Sequence, residues 1–299
     1  MIALNATTLI ISDQDGVPVN LTPAGACQYT ANEPGWTHSA MVSSAGILLV
    51  HTQSTTSAQR VVSIGLPAQS LPVSEFAGAW NIAGWDPIQR GRVGSTIAQT
   101  DVLTLDATGQ ITAVSRCMGL APCTAGTGPF PRFTANLTLG GFEMIENGAT
   151  NARVFMFKNL AGRAVIVFLA GDGQWFVGMR AEALTLPAVG AVTNFHQFSL
   201  DGNGTVSTLT ADSNTVTAVD TSARTATRLQ VSNSRVDMLA YDAPRNGLRH
   251  RAANSCTING VANNCSQTVQ LPGMGITLSL SVGAIPAPQT YTVTIGKPD

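Results

Sequence analysis

The chemistry open to this chain is narrow, and its four histidines are where any acid–base chemistry would begin. His38, His51, His196 and His250 titrate nearest neutral pH, so they are the natural general bases. They are scattered along the chain, and no two stand at a metal-ligand spacing such as i, i+2. His250 lies within Arg249-His250-Arg251, where neighbouring cations disfavour its protonation. A serine nucleophile of the strand-to-helix type needs a Gly-x-Ser-x-Gly elbow, which the sequence lacks. Glu143 and Glu146, on one predicted strand at odd spacing, point to opposite faces and do not form a glycosidase pair. Asp201-Gly202-Asn203-Gly204 reads as a hairpin turn, because the further acidic ligands of a calcium loop are missing. The residues offer no reaction and call for no cofactor or metal, so the expectation is a non-enzymatic protein.

The cysteines carry the clearest covalent signal. Cys117 and Cys123 flank Met118-Gly119-Leu120-Ala121-Pro122, and Cys256 and Cys265 flank a segment beginning Thr257-Ile258-Asn259-Gly260-Val261. Both segments hold turn-forming residues, which lets two strands bring β-carbons to bridging distance. The reading is two hairpin disulfides, Cys117–Cys123 and Cys256–Cys265, with Cys27 free; inert thiols are the alternative. Zinc spacing pairs a Cys-x2–4-Cys element with a second such element or with histidines, and neither is present. Disulfides imply an oxidising compartment, whether periplasm, cell surface or medium.

Aromatic residues are only 6% of the chain, yet they gather between residues 71 and 187. Trp80 and Trp85 stand near the ends of one predicted strand and Trp175 on the last strand of the same unit, while alternation puts Phe155 and Phe157 on one face. One reading is a well-filled core. The functional reading is an apolar pocket lined by these aromatics, with Arg90 and Arg92 at its rim to meet an anionic group.

The elements that would position these residues are strands. Asp101-Val102-Leu103-Thr104-Leu105-Asp106 alternates polar with apolar, turns through Ala107-Thr108-Gly109, and alternates again from Ile111. Helical periodicity is almost absent. A two-strand unit recurs: Gly46 to Val50 runs on to Val61–Leu66, Gly162 to Phe168 to Trp175–Arg180, and Gly275 to Leu280 to Tyr291–Lys297. The expected fold is all-β, with tandem antiparallel β-meander modules of barrel or sandwich form and little helix. Their expected bounds are a partial module over 1–70 and complete modules over 71–187 and 188–299. About eight strands are expected in each complete module, the number at which a sheet can close into a small barrel.

The middle unit resembles the lipocalin-type barrels. Gly78-Ala79-Trp80 on its first strand is similar to the Gly-x-Trp signature of that family, and Arg180 after Phe176-Val177-Gly178-Met179 stands where the family places a basic residue over that tryptophan. The resemblance covers residues 75–182; in the following unit Val192 stands where the tryptophan would be. It implies that Trp80 plugs one end of a barrel, with Arg180 covering its ring at the edge of the candidate site.

Composition limits the partners. Charged residues are 11% of the chain and the net charge is −1, so nothing attracts a nucleic-acid backbone. No apolar run is long enough for a transmembrane helix, and the first residues do not form a signal peptide as they stand. The expectation is a secreted, periplasmic or cell-surface protein that binds a small apolar or anionic ligand or an extended one. The rival is a structural or adhesive protein whose modules meet other surface proteins. With two disulfides, thiol titration of the unfolded, unreduced chain is expected to find one free thiol, that of Cys27; five thiols would overturn both the pairing and the export argument.

Overall fold

The computed structural model describes residues 3–5, 10–12, 18–25, 27–43, 46–65, 71–85, 98–117, 122–136, 141–159, 162–170, 175–200, 205–281 and 291–296. The chain is nearly all antiparallel strand, and a 3-10 turn at Val73–Phe76 is the one helical element among the described residues. Among the described residues four sheets form: three short strands over 3–20, five strands over 22–65, nine over 78–180 and ten over 192–296. Each recurring sequence unit is an antiparallel hairpin: Leu48–Ser54 with Arg60–Gly65, Ala164–Ala170 with Trp175–Arg180, and Ile276–Ser281 with Tyr291–Gly296. In both larger sheets the last strand also pairs with the first, so Gly178 and Gly296 stand on strands with equivalent neighbours. Two disulfides, Cys117–Cys123 and Cys256–Cys265, each close a hairpin, and Cys27 is free and exposed.

The middle sheet curls until its ends approach at a bridge between Gln110 and Arg132. Gln110 Nε2 donates to the carbonyls of Ile111, Phe130 and Pro131 at 2.9, 2.9 and 3.1 Å, supplying partners where the ladder is interrupted. The concave face is apolar: Trp80, Ile82, Leu103, Leu105, Val154, Met156, Ile166 and Phe168 fill it, with Phe76 beneath. Gly178 keeps this packing tight, since a Cβ there would lie 2.4 Å from both Ile166 and Ile82 side chains.

One end of this interior is plugged by the 3-10 turn. Phe76 and Trp80 are both fully buried and stack at 5.8 Å, and Trp80 Nε1 donates to the Phe76 carbonyl at 2.9 Å. The Arg180 guanidinium lies 4.7 Å over the Trp80 ring and donates to the Ala77 and Glu75 carbonyls. Gly78 makes this possible: its φ is +129°, and a Cβ there would sit 2.3 Å from Arg180 Nη1. The Gly-x-Trp spacing thus has a local physical cause, with glycine needed for the arginine and tryptophan for the plug.

The carboxy-terminal sheet closes completely. Strands Val192–Leu200, Thr210–Asp220, Thr225–Gln230, Arg235–Tyr241, Arg249–Arg251, Thr268–Leu271, Ile276–Ser281 and Tyr291–Gly296 pair in succession and the last returns to the first. The hairpin Cys256–Ile258 with Val261–Asn263 hangs from the lower part of Arg235–Tyr241. Eight strands therefore make a closed barrel without free edges.

The sheets share a core. Met41, Ile47 and Leu49 of the five-stranded sheet meet Phe157, Val165, Val167, Val177 and Met179 on the convex face of the middle sheet. Both meet Val269, Leu271, Leu278 and Leu280 on the outside of the carboxy-terminal barrel. Polar bridges flank the contact: Ser43 Oγ donates to the Met274 carbonyl (3.2 Å), Asn159 Nδ2 to Gly273 (3.0 Å) and Asn81 Nδ2 to Asn246 (2.7 Å). Because Trp80 is buried, Trp80→Ala is expected to cost about 3–5 kcal/mol in denaturant unfolding. Replacing Arg180, whose head stays partly hydrated, costs about 1–2 kcal/mol. A loss below about 1 kcal/mol for Trp80→Ala would remove the plug role.

Candidate functional site

Strand alternation gives the two large sheets opposite interiors. In Ile276–Ser281, Ile276, Leu278 and Leu280 are buried on one side, and Thr277, Ser279 and Ser281 alternate with them. The leucines enter the shared core, so the hydroxyls face into the barrel. The same holds next door, where Val269 and Leu271 point out and Thr268 and Gln270 point in. The result is a polar lumen of about 710 Å³, within the range of small-molecule sites.

Three consecutive strands carry its charge. Arg228 sits on Thr225–Gln230, Arg235 and Asp237 on Arg235–Tyr241, and Arg249 and Arg251 on Arg249–Arg251, all lining the lumen. Asp237 is 3% exposed and directly opposite Arg228 in the ladder. Its Oδ1 accepts from Arg235 Nε at 3.0 Å and Arg251 Nη1 at 3.2 Å, while Arg228 Nη2 lies 3.6 Å from Oδ2. Arg251 also donates from Nη2 to the Ser266 carbonyl at 2.8 Å. Ser266 directly follows Cys265, so the disulfide hairpin supplies that acceptor at one end of the lumen. Arg249 donates to Thr277 Oγ1 at 3.2 Å and lies 5.8 Å from the Tyr241 ring centre. Burial pushes the Arg228 guanidinium down to about 10, helped by Arg249 and opposed by Asp237. Burial likewise lowers Arg251, against the pull of Asp237.

The aromatic set expected as a pocket does not converge. Trp80 faces the filled interior of the middle sheet with Arg180 over it, whereas Phe157 faces the shared core on the opposite face. Trp175 packs half-buried against that same core, and Phe155 has Arg153 5.3 Å over its ring. Trp85 is placed only as a backbone opposite Trp175 and Ala98, and Arg90 and Arg92 lie outside the described residues. The arginine lumen was missed. Its signal was the same-face spacing of Arg249 with Arg251 and of Arg235 with Asp237, beside the hydroxyl–leucine alternation of 276–281.

The histidines take separate roles. His38 bridges Thr52 Oγ1 at 2.9 Å and Glu33 Oε2 at 3.1 Å, a hydroxyl–imidazole–carboxylate line. His38 and Thr52 are direct cross-strand partners on a sheet face, which accounts for the contact as pairing. His51 is buried, donates to the Ser207 carbonyl at 3.3 Å, and has its pKa lowered by desolvation. His250, on the outer side of its strand, approaches Gln267 Nε2 at 3.1 Å and is also lowered by burial. Among the described residues no cluster of three metal-ligating side chains forms. No known family model matches the chain, and no curated protein matches it.

A further polar contact joins the middle and carboxy-terminal units. Arg245 donates from Nε to Asn81 Oδ1 at 2.7 Å and from Nη2 to the Asp101 carbonyl at 3.3 Å. Burial lifts the Asp101 carboxyl from 3.8 to about 6, against the pull of Arg116 and Arg245. A carboxyl raised on folding binds its proton better in the native state, so its stabilising contribution is complete below pH 3.8 and is lost as pH rises through about 6. Asp101→Asn is therefore expected to exceed the parent in stability at pH 8 by up to about 3 kcal/mol, with the gain vanishing near pH 4. Urea unfolding at the two pH values checks it; equal curves at pH 8 would refute the desolvation.

Proposed function

We propose that this chain is a non-enzymatic binding protein of the cell envelope or extracellular space, and that its ligand occupies the lumen of the carboxy-terminal barrel. The observation that carries this reading is the lumen itself: about 710 Å³, lined by side chains that converge on a common space. Natural barrels of this strand number fill their interiors unless something is held there, and the middle sheet of the same chain is filled in that way. A cavity lined by guanidinium, amide and hydroxyl groups is costly to keep when those groups gain nothing from it. The two disulfides support the compartment, since they persist where thiols are oxidised. Among the described residues no helix is long and apolar enough to cross a membrane. The lipocalin-type resemblance of the middle sheet extends to its plug of Trp80 and Arg180. In this chain the filled interior of that sheet gives it a packing role.

Native mass spectrometry of the protein purified from its own host is expected to show a retained small molecule. Ser279→Phe, which places a ring in the lumen, is expected to release it while the far-ultraviolet spectrum stays that of the parent. A parent free of any small molecule, together with a Ser279→Phe variant more stable than it, would mark the lumen as a mere packing defect and favour the structural reading.

A further inference from the structure

We infer that the lumen ligand is a small oxyanion bearing two or more negative charges, a polycarboxylate or a phosphate, seated between the arginine wall and the hydroxyl wall. The inference rests on the lumen being a ligand site. It starts from charge. Among the described lining residues are four arginines and one aspartate, so that lining carries 4 − 1 = +3, inside a chain whose net charge is −1. Asp237 is the only carboxylate among the described lining residues, and Arg228, Arg235 and Arg251 already share it. Buried guanidinium groups held beside one another without enough counter-charge repel and lose hydration at once.

The hydrogen bonds agree. Arg228 Nε, Arg235 Nη2, Arg249 Nε and Arg251 Nε are all buried without an acceptor among the described residues. Arg251 is 8% exposed, so its unmet N–H is not facing bulk solvent. Unused guanidinium donors on one wall match the paired oxygens of carboxylate and phosphate groups. Thr277, Ser279 and Ser281 on a facing strand can donate hydroxyls to the same ligand. Asp237 is then a positioning residue: it anchors Arg235 and Arg251 by one oxygen, the Ser266 carbonyl holds Arg251 Nη2, and Arg235 Nη2 and Arg251 Nε remain for the ligand. An uncharged sugar would leave the +3 unbalanced.

The test is calorimetric titration and thermal unfolding of the whole chain with citrate, pyrophosphate and maltose, at matched ionic strength in sodium chloride. Saturable binding of citrate or pyrophosphate, with a rise in Tm, is expected; which of the two binds separates the carboxylate source from the phosphate source. Arg249→Gln should bind that anion at least tenfold more weakly. It should melt no lower than the parent in anion-free buffer, because removing a cation relieves repulsion. Thr277→Glu, which brings a carboxylate beside Arg249, should raise the anion-free Tm and abolish the titration signal. Maltose binding without anion binding would overturn the anion and keep the ligand site. No binding by any of the three, with Thr277→Glu less stable than the parent, would overturn both.

Discussion

A single apolar core, built where the outer faces of three sheets meet, governs the rest of this molecule. Leu278, Leu280, Val269 and Leu271 leave the carboxy-terminal barrel to join Val165, Val167, Val177 and Met179 of the middle sheet, under Ile47 and Leu49. A strand has only two faces. Committing the apolar half of 268–281 outward commits its alternate residues to the barrel interior, and those residues are Thr268, Gln270, Thr277, Ser279 and Ser281. The polar lumen follows from the way the sheets associate. A one-residue register slip would exchange leucines for hydroxyls and destroy the core and the lumen together.

The middle sheet solves the opposite problem. It is apolar on both faces, so it fills its own interior and still contributes a surface to the shared core. Its interior is finished by a plug in which Trp80, Phe76, Arg180 and Gly78 depend on one another. The tryptophan's N–H and the arginine's donors both end on carbonyls of the turn that enters the barrel, so no polar group of the plug is abandoned. In the carboxy-terminal barrel the reverse holds: donors outnumber acceptors and cations outnumber the one carboxylate. Two sheets of related strand order thus differ in how far their interiors satisfy their own polar groups.

Much of the fold was legible in the residues. Alternation placed the strands Ala98–Leu105 and Ile111–Cys117 close to where they lie, the recurring units mark hairpins, and cysteine spacing across turns points to both disulfides. Trp80 and Arg180 were readable as a pair through the resemblance to lipocalin-type barrels, and the structure sets them opposite each other on neighbouring strands. The aromatic pocket was misjudged for a physical reason: Phe157 and Trp80 each look apolar and buried in one dimension, and only the sheet shows them on opposite faces.

The residues alone determined the class of element and the absence of nucleophile or metal spacings, and they pointed to the cysteine pairs that the structure joins. These depend on neighbours within a few positions, where side-chain period and turn chemistry act directly. Which face of each strand points inward was decided by tertiary structure, because an alternating strand is equally consistent with either face until another sheet covers one of them. The assembly of Arg228, Arg235, Asp237, Arg249 and Arg251 was decided there too. Those residues are spread over three strands, and only barrel closure brings their charges into one space, where their mutual repulsion and unmet donors become a property of the site.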